Sequence, residues 1–260
     1  MLLLISITGL TISLYHIIVW KKENNEIDET LDKISNLVDI NEQEDGNAEY
    51  IEPNDDTVSS DNPFWQYIKM SLLSVNFGEL KNVNPKVVGW IEVKGTNVNM
   101  PFVQTSNNTY YLNHYFDNTY NSAGWAFLDY RNNKELDKNN IIYAHGRKNG
   151  SMFGSLRNLL ENKWLKNKDN HIIRISTEKE NTMWQIFSVY HIPTTNDYIQ
   201  VDFKNDDEYT NFINKLTKRS IYNFDTKALN TDKILTLSTC YSSSEKLVVH
   251  AKLIKKKIRK

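Results

Sequence analysis

From residue 87 onward the chain is a succession of short runs rich in β-branched and aromatic residues: VVGWIEV, VNMPFVQT, GWAFLD, NIIYAHG, HIIRIST, MWQIFSVYHI, KILTLSTC and KLVVHAKLIKK. Asn, Gly and Asp turns separate them. Each run is short, apolar or alternating, and bounded by turn-forming residues, so each reads as a strand. Many short strands in one chain must hide their edges, and a closed barrel or a sandwich does this. Two helices interrupt the pattern. SMFGSLRNLLEN opens on Ser151 and carries Phe153, Leu156 and Leu160, while DDEYTNFINKLTKR sets Tyr209, Phe212, Ile213 and Leu216 on one face. The second begins acidic and ends basic, in keeping with the helix dipole. No internal repeat and no glycine-rich phosphate loop is present.

Ahead of the strands lie three different textures. LLLISITGLTISLYHIIVW, residues 2–20, is almost wholly apolar and then meets Lys21-Lys22. About 20 residues at ~1.5 Å each match a ~30 Å hydrocarbon core, and no small-residue cleavage site follows, so residues 1–22 are expected to be a membrane anchor. Charge alone would keep the Lys21-Lys22 side in the cytoplasm. In residues 23–61, Ile27, Leu31, Ile34 and Val38 repeat at helical spacing and mark an amphipathic helix. DINEQEDGNAEYIEPNDDTVSSD then has no Lys or Arg and is expected to be a solvated linker. The folded domain, residues 62–260, opens with Asn62-Pro63 capping a helix through Phe64, Tyr67, Ile68 and Leu72.

A chain of 260 residues suits one sizeable domain with appendages. Its 31 basic and 32 acidic side chains leave a net charge of -1, which provides no field for a polynucleotide, so no nucleic-acid partner is expected. The single cysteine, Cys240, rules out an intramolecular disulfide and a multi-cysteine metal site. Neither a metal nor a cofactor is expected.

A lone cysteine in a strand is ordinarily a small buried hydrophobe. Here Ile234, Thr236, Ser238 and Cys240 share one face, so the thiol projects beside hydroxyls. A thiol reacts as its thiolate and needs a nearby cation or base. Of the six histidines, His16 lies in the expected anchor and His171 opens a strand after a polar turn. His145 ends a strand before a glycine and a polar loop, where a side chain can reach a cleft; His250 is the second candidate. Only Tyr241 to Glu245 separate Cys240 from Lys246, which places these two close together on neighbouring antiparallel strands. Lys246 is therefore a candidate to favour the thiolate or an oxyanion.

These residues resemble the class B sortases, membrane-anchored cysteine transpeptidases of Gram-positive bacteria. The similarity runs over most of residues 62–260 and is carried by VVGWIEVKGTNVNMPFVQTSNNTYYL, AGWAFLDYRNN, IIYAHGRKNGSMFGSL, TTNDYIQVDF and TLSTC followed by KLVVHAKL. The resemblance implies an eight-stranded sortase-type β-barrel with N-terminal helices and a helix, DDEYTNFINKLTKR, before the cysteine strand. It puts the catalytic pair on His145 and Cys240. It puts substrate-pocket positions on Asn108 and Leu112, on Thr194, Tyr198 and Ile199, and on Ser238 and Tyr241. Asp129, in FLDYRN, reads as a turn former. Two positions depart from the family pattern: Lys246 stands where an arginine is usual, and Gly146-Arg147 stand where Asn and Met are more common. Lysine keeps the charge but loses the planar fork, which makes Arg147 a possible auxiliary cation.

The activity so implied is cleavage of a C-terminal sorting signal through a thioester, followed by joining of the surface protein to a cell-wall precursor amine. It implies a single-pass protein in the cell membrane, its N-terminus cytoplasmic and its catalytic domain outside. Three rivals remain: a pilin-polymerising sortase, a binding module with a degenerate site, and a Cys-His hydrolase. A papain-like hydrolase places its cysteine before its histidine, the reverse of the order here.

Overall fold

The computed structural model describes residues 2–44, 46–53, 59–133 and 136–259, with side chains from Ser6 onward. Its helices are α1 (Leu2–Asn36), α2 (Phe64–Tyr67), α3 (Gly78–Val83), α4 (Asn162–Lys166) and α5 (Asp206–Arg219). Its strands are β1 (Ile40–Gln43), β2 (Glu49–Tyr50), β3 (Leu72–Val75), β4 (Val87–Val93), β5 (Asn99–Val103), β6 (Phe127–Leu128), β7 (Asn139–Tyr143), β8 (Ile172–Ser176), β9 (Glu180–Pro193), β10 (Ile234–Cys240) and β11 (Glu245–Ile258). Among the described residues, eight strands form a closed barrel in the order β10-β7-β6-β5-β4-β8-β9-β11, and pairing of β10 with β11 closes the ring. The β10–β7 and β5–β6 pairs are parallel; the rest of the ring is antiparallel.

Strand alternation builds two layers of core. On β10 and β11, Leu235, Leu237, Leu247 and Val249 point into the barrel. Ile234 and Val248 point outward into a second cluster, covered by α5 through Tyr209, Phe212, Ile213 and Leu216. Each of these α5 side chains contributes about 2 kcal/mol of burial. Asn205 caps α5 by accepting from Glu208 N at 2.9 Å. Asp206, Asp207 and Glu208 sit in its first turn and Lys218 and Arg219 in its last, as the acidic start and basic end of the sequence predict.

Elsewhere the structure differs from the sequence expectation for a physical reason. SMFGSLRNLLEN forms a 3-10 helix, Gly154–Leu160, rather than an α-helix. Its entry is committed to the preceding loop, with Phe153 N donating to His145 O at 3.0 Å and Gly154 pressed on the Arg147 carbonyl. The helix expected through Leu72 ends at Tyr67, because Leu72–Val75 pair with β1. Residues 39–61, expected to be a solvated linker, supply β1 and β2; their side chains stay largely exposed while their backbones pair with β3 and β11. Residues 54–58 of that segment lie outside the described residues.

The amphipathic seam docks on the domain, with Ile27 and Ile34 buried and Leu31 and Val38 packed beside them. Ile27, Leu31 and Ile34 belong to α1, a single helix of 35 residues, and Val38 lies just past its end. The N-terminal part of α1 leaves Ile7, Leu10, Tyr15 and Trp20 exposed. The expected transmembrane helix is not supported: among the described residues no helix is long and apolar enough to cross a membrane. Ser6, Thr8, Thr11, Ser13 and His16 dilute the apolar run, and its first side chains lie outside the described ones.

Candidate active site

Cys240 is the last residue of β10 and is half-buried. Antiparallel register sets it directly opposite Lys246 on β11. Lys246 Nζ donates to Cys240 Sγ at 3.1 Å, which sets an ammonium directly against the sulfur. The serines between the strands tie the turn: Ser242 Oγ accepts from Ser244 N and Glu245 N at 3.3 and 3.2 Å, and Tyr241 N reaches Glu245 O at 2.9 Å.

The parallel neighbour β7 delivers His145. Ser238 is in register with Tyr143, so the residues after β7 run beside Thr239 and Cys240. Thr239 Oγ1 donates to Ala144 O at 2.8 Å. At Gly146 a Cβ would overlap the Cys240 carbonyl oxygen, so only glycine lets the two segments approach this closely. The His145 imidazole is half-buried, and Nε2 lies 2.8 Å from Leu112 O. A carbonyl oxygen only accepts, so Nε2 carries the hydrogen and Nδ1 is left as the nitrogen able to take and return a proton. Gly124, at φ +58, holds that carbonyl in place; a side chain there would strike the Tyr111 and Leu112 carbonyls.

The opposite wall is the segment 194–199. Thr194 is fastened to the turn after the thiol, donating from N and Oγ1 to Ser244 O at 2.9 and 3.1 Å. Tyr198 OH meets Ser238 Oγ at 2.9 Å, two residues before Cys240. Burial raises the Tyr198 hydroxyl above the ordinary tyrosine range, against the smaller lowering effects of Ser238 and Lys246. Ile199 O accepts from Arg131, whose fork holds Asp129 at 2.9 and 2.7 Å. Burial pushes the Asp129 carboxyl up, but Arg131 and the Tyr143 hydroxyl outweigh it and hold the group below the ordinary carboxylate range. Asp129 thus organises its turn and the 194–199 wall, as a turn former.

Leu112 is exposed, with its carbonyl on His145, and Asn108 Oδ1 accepts from Tyr130 N at 2.9 Å, bracing the same rim. Tyr241 stacks on His191 with ring centroids 4.6 Å apart. Arg147 does not face the thiol: its Nε and Nη2 donate to Asn24 Oδ1 of α1 at 3.2 and 2.7 Å, and the auxiliary role expected for it has no support in this arrangement. His250 is fully buried beneath α5, opposite Thr236, and bonds Tyr190 OH and Thr236 Oγ1, each at 2.9 Å. Burial, with Arg219 and Lys215 nearby, depresses it to about 3, so it stays neutral and structural. Among the described residues no group of three or more His, Cys, Asp or Glu could hold a metal.

Arg157 was not anticipated. Its guanidinium lies 4.9 Å from the Tyr241 ring centroid and donates to the Tyr241 carbonyl, the residue after the thiol. Nothing in SLRNLL marks that contact, because the partners are far apart in sequence.

Comparison with known proteins is consistent along the barrel. Residues 91–254 match the family model described as the sortase domain. Sortase B of Staphylococcus aureus (strain NCTC 8325 / PS 47) is 36% identical over 184 residues, covering 69% of this chain and 75% of that protein. The crystal structure of sortase B from B. anthracis in complex with AAEK1 superposes with a TM-score of 0.71 at 31% identity, covering 90% of this chain and 99% of that one. A Staphylococcus aureus sortase B–substrate complex gives 0.64 at 35%, covering 69% and 84% respectively.

Proposed function

The chain belongs to the sortase family as a class B sortase, a cysteine transpeptidase, and from that premise we propose that it cleaves a C-terminal sorting signal at Cys240 and joins the protein to a cell-wall amine. The observation that carries this reading is the Lys246 ammonium 3.1 Å from Cys240 Sγ, with the His145 segment pressed against the Cys240 backbone.

Cys240 passes its thiol proton to His145 Nδ1, and the thiolate attacks the carbonyl carbon of the scissile peptide bond, forming the C–S bond as the carbonyl electrons move onto oxygen. Lys246, released from the sulfur as that charge disappears, stabilises the oxyanion. The leaving nitrogen takes a proton from His145 Nδ1 as the C–N bond breaks, which leaves a thioester on Cys240. An incoming amine then attacks the thioester, gives its proton back to Nδ1, and expels the thiolate. One amide is exchanged for another with no net proton or electron change. Ser238, Tyr198, Thr194 and Ile199, together with Asn108, Leu112 and Tyr241, receive the signal peptide.

The test is a panel of sorting-signal peptides offered with a branched wall-peptide amine or with a pilin lysine. Expected are Cys240-dependent cleavage, a thioester adduct seen by mass spectrometry, and joining to the wall-peptide amine. Full cleavage by Cys240→Ala would refute the assignment, and joining only to the lysine would favour pilin polymerisation. We also propose that the barrel works outside the cell, held at the membrane by the exposed apolar residues of α1. Protease applied to intact cells that leaves the barrel uncut would overturn that placement.

A further inference from the structure

Asn24 is a polar residue on α1 that is 6% exposed, with its carbonyl oxygen given to both Nε and Nη2 of Arg147. The same guanidinium lies 3.8 Å from the Glu23 carboxylate. Arg147 stands two residues after His145, and its own carbonyl closes the following turn by accepting from Gly150 N at 3.1 Å. Its side chain and backbone are thus both fixed, and α1 is tied to the loop that carries the histidine.

The same turn of α1 also holds the segment that carries the hydrogen-bond acceptor of the imidazole. Ser122 Oγ donates to Glu23 Oε2 at 2.7 Å, Asn121 Nδ2 to Glu26 Oε2 at 3.1 Å, and Tyr115 OH to Glu23 O at 3.2 Å. These three residues belong to the 111–125 segment, which is tied back on itself by Asn121 N to Asn113 O and Trp125 N to Tyr111 O, each at 2.9 Å. That segment carries the Leu112 carbonyl, which accepts from His145 Nε2. Ile27, with no exposed surface, pins the turn to the core.

We infer that the Glu23–Ile27 turn of α1 is a positioning element for His145, holding its loop through Arg147 and its hydrogen-bond acceptor through the 111–125 segment. The inference rests on the reading of His145 as the proton carrier. Docking of the helix alone is served by Ile27 and Ile34. Burying Asn24 against a guanidinium adds no apolar contact; what a matched, desolvated polar pair adds is a fixed geometry. Arg147 acts through that geometry on His145, not on the oxyanion.

The experiment uses the full chain and the variants Asn24→Ala, Asn24→Asp and Ser122→Ala. Asn24→Ala is expected to lower kcat about tenfold with KM little changed, since small displacements of a reacting group are costly out to 10²-fold. It should also shift the histidine limb of the pH–rate profile. Asn24→Asp keeps the acceptor and should restore kcat. Ser122→Ala loosens only the second grip and serves if Asn24→Ala does not fold. Hydrogen exchange of the 146–153 amides and NMR titration of the His145 ring give readouts independent of turnover. Both are expected to change in Asn24→Ala. The inference is overturned if Asn24→Ala keeps wild-type kcat, exchange and His145 titration, or loses thermal stability alone. A wild-type chain that cleaves no peptide would refute the transpeptidase reading, while the exchange and titration data would still decide whether α1 braces His145.

Discussion

Lys246 replaces a planar, permanently charged fork with a point charge on a flexible stem, and its Nζ sits 3.1 Å from the sulfur. Removing the charge should therefore slow the thiol itself, before any substrate is involved. Lys246→Met is expected to reduce the rate of Cys240 alkylation by iodoacetamide at pH 7 several-fold, because the ammonium hydrogen-bonded to the sulfur is lost. Lys246→Arg should keep that rate and change turnover instead, because the fork meets the oxyanion in a different geometry. Equal alkylation rates in wild type and Lys246→Met would refute the pairing. Gly146→Ala tests the other flank. Its added methyl would occupy the place of the Cys240 carbonyl oxygen, so the strand end must shift, and peptide cleavage should fall by at least about tenfold. Wild-type turnover in Gly146→Ala would show that the contact is not needed.

At the scale of elements, legibility followed distance along the chain. The Cys240–Lys246 pairing could be read from sequence because a short connection between strands leaves few registers. α5 could be read because its apolar face and end charges agree. β1 and β2 could not, because an acidic, polar stretch that buries little can still lend its backbone to a remote edge, and composition does not reveal that edge. The His145–Leu112 and Arg147–Asn24 contacts have the same character: one partner is a carbonyl, the other an asparagine 123 residues away. The last turn of α5 reaches the pocket wall by a similar long-range contact, Arg219 holding Asp197 at 2.9 and 2.7 Å beside Tyr198. Both groups are partly exposed, so the pair adds no more than about 1 kcal/mol to stability. Its effect should be local: Arg219→Ala is expected to raise KM for the sorting peptide several-fold with little change in melting temperature. A KM equal to wild type would show that the wall holds its place without the clamp.

For the molecule as a whole, the buried His250 sets a limit in acid. Its folded value, about 3, lies below the ~6.5 of an unfolded histidine, so the unfolded chain binds the proton more readily. The stability tied to the neutral ring is complete above ~6.5 and drains away as pH falls toward about 3. Asp129 and Asp197, both held below the ordinary carboxylate range, add losses of the same sign at the acid end. The urea midpoint should fall steadily from pH 7 to pH 4, and His250→Gln should flatten the upper part of that slope; identical slopes would remove His250 as the cause. The ring of strands has a further consequence in time. β10 enters between β7 and β11, so the strand that bears the thiol is also the one that shuts the barrel. A chain emerging from its N-terminal end must wait for nearly its whole length before that insertion can occur. Until then Cys240 has neither its lysine nor the support of the histidine loop, and a half-made molecule cannot begin to cleave the peptides around it.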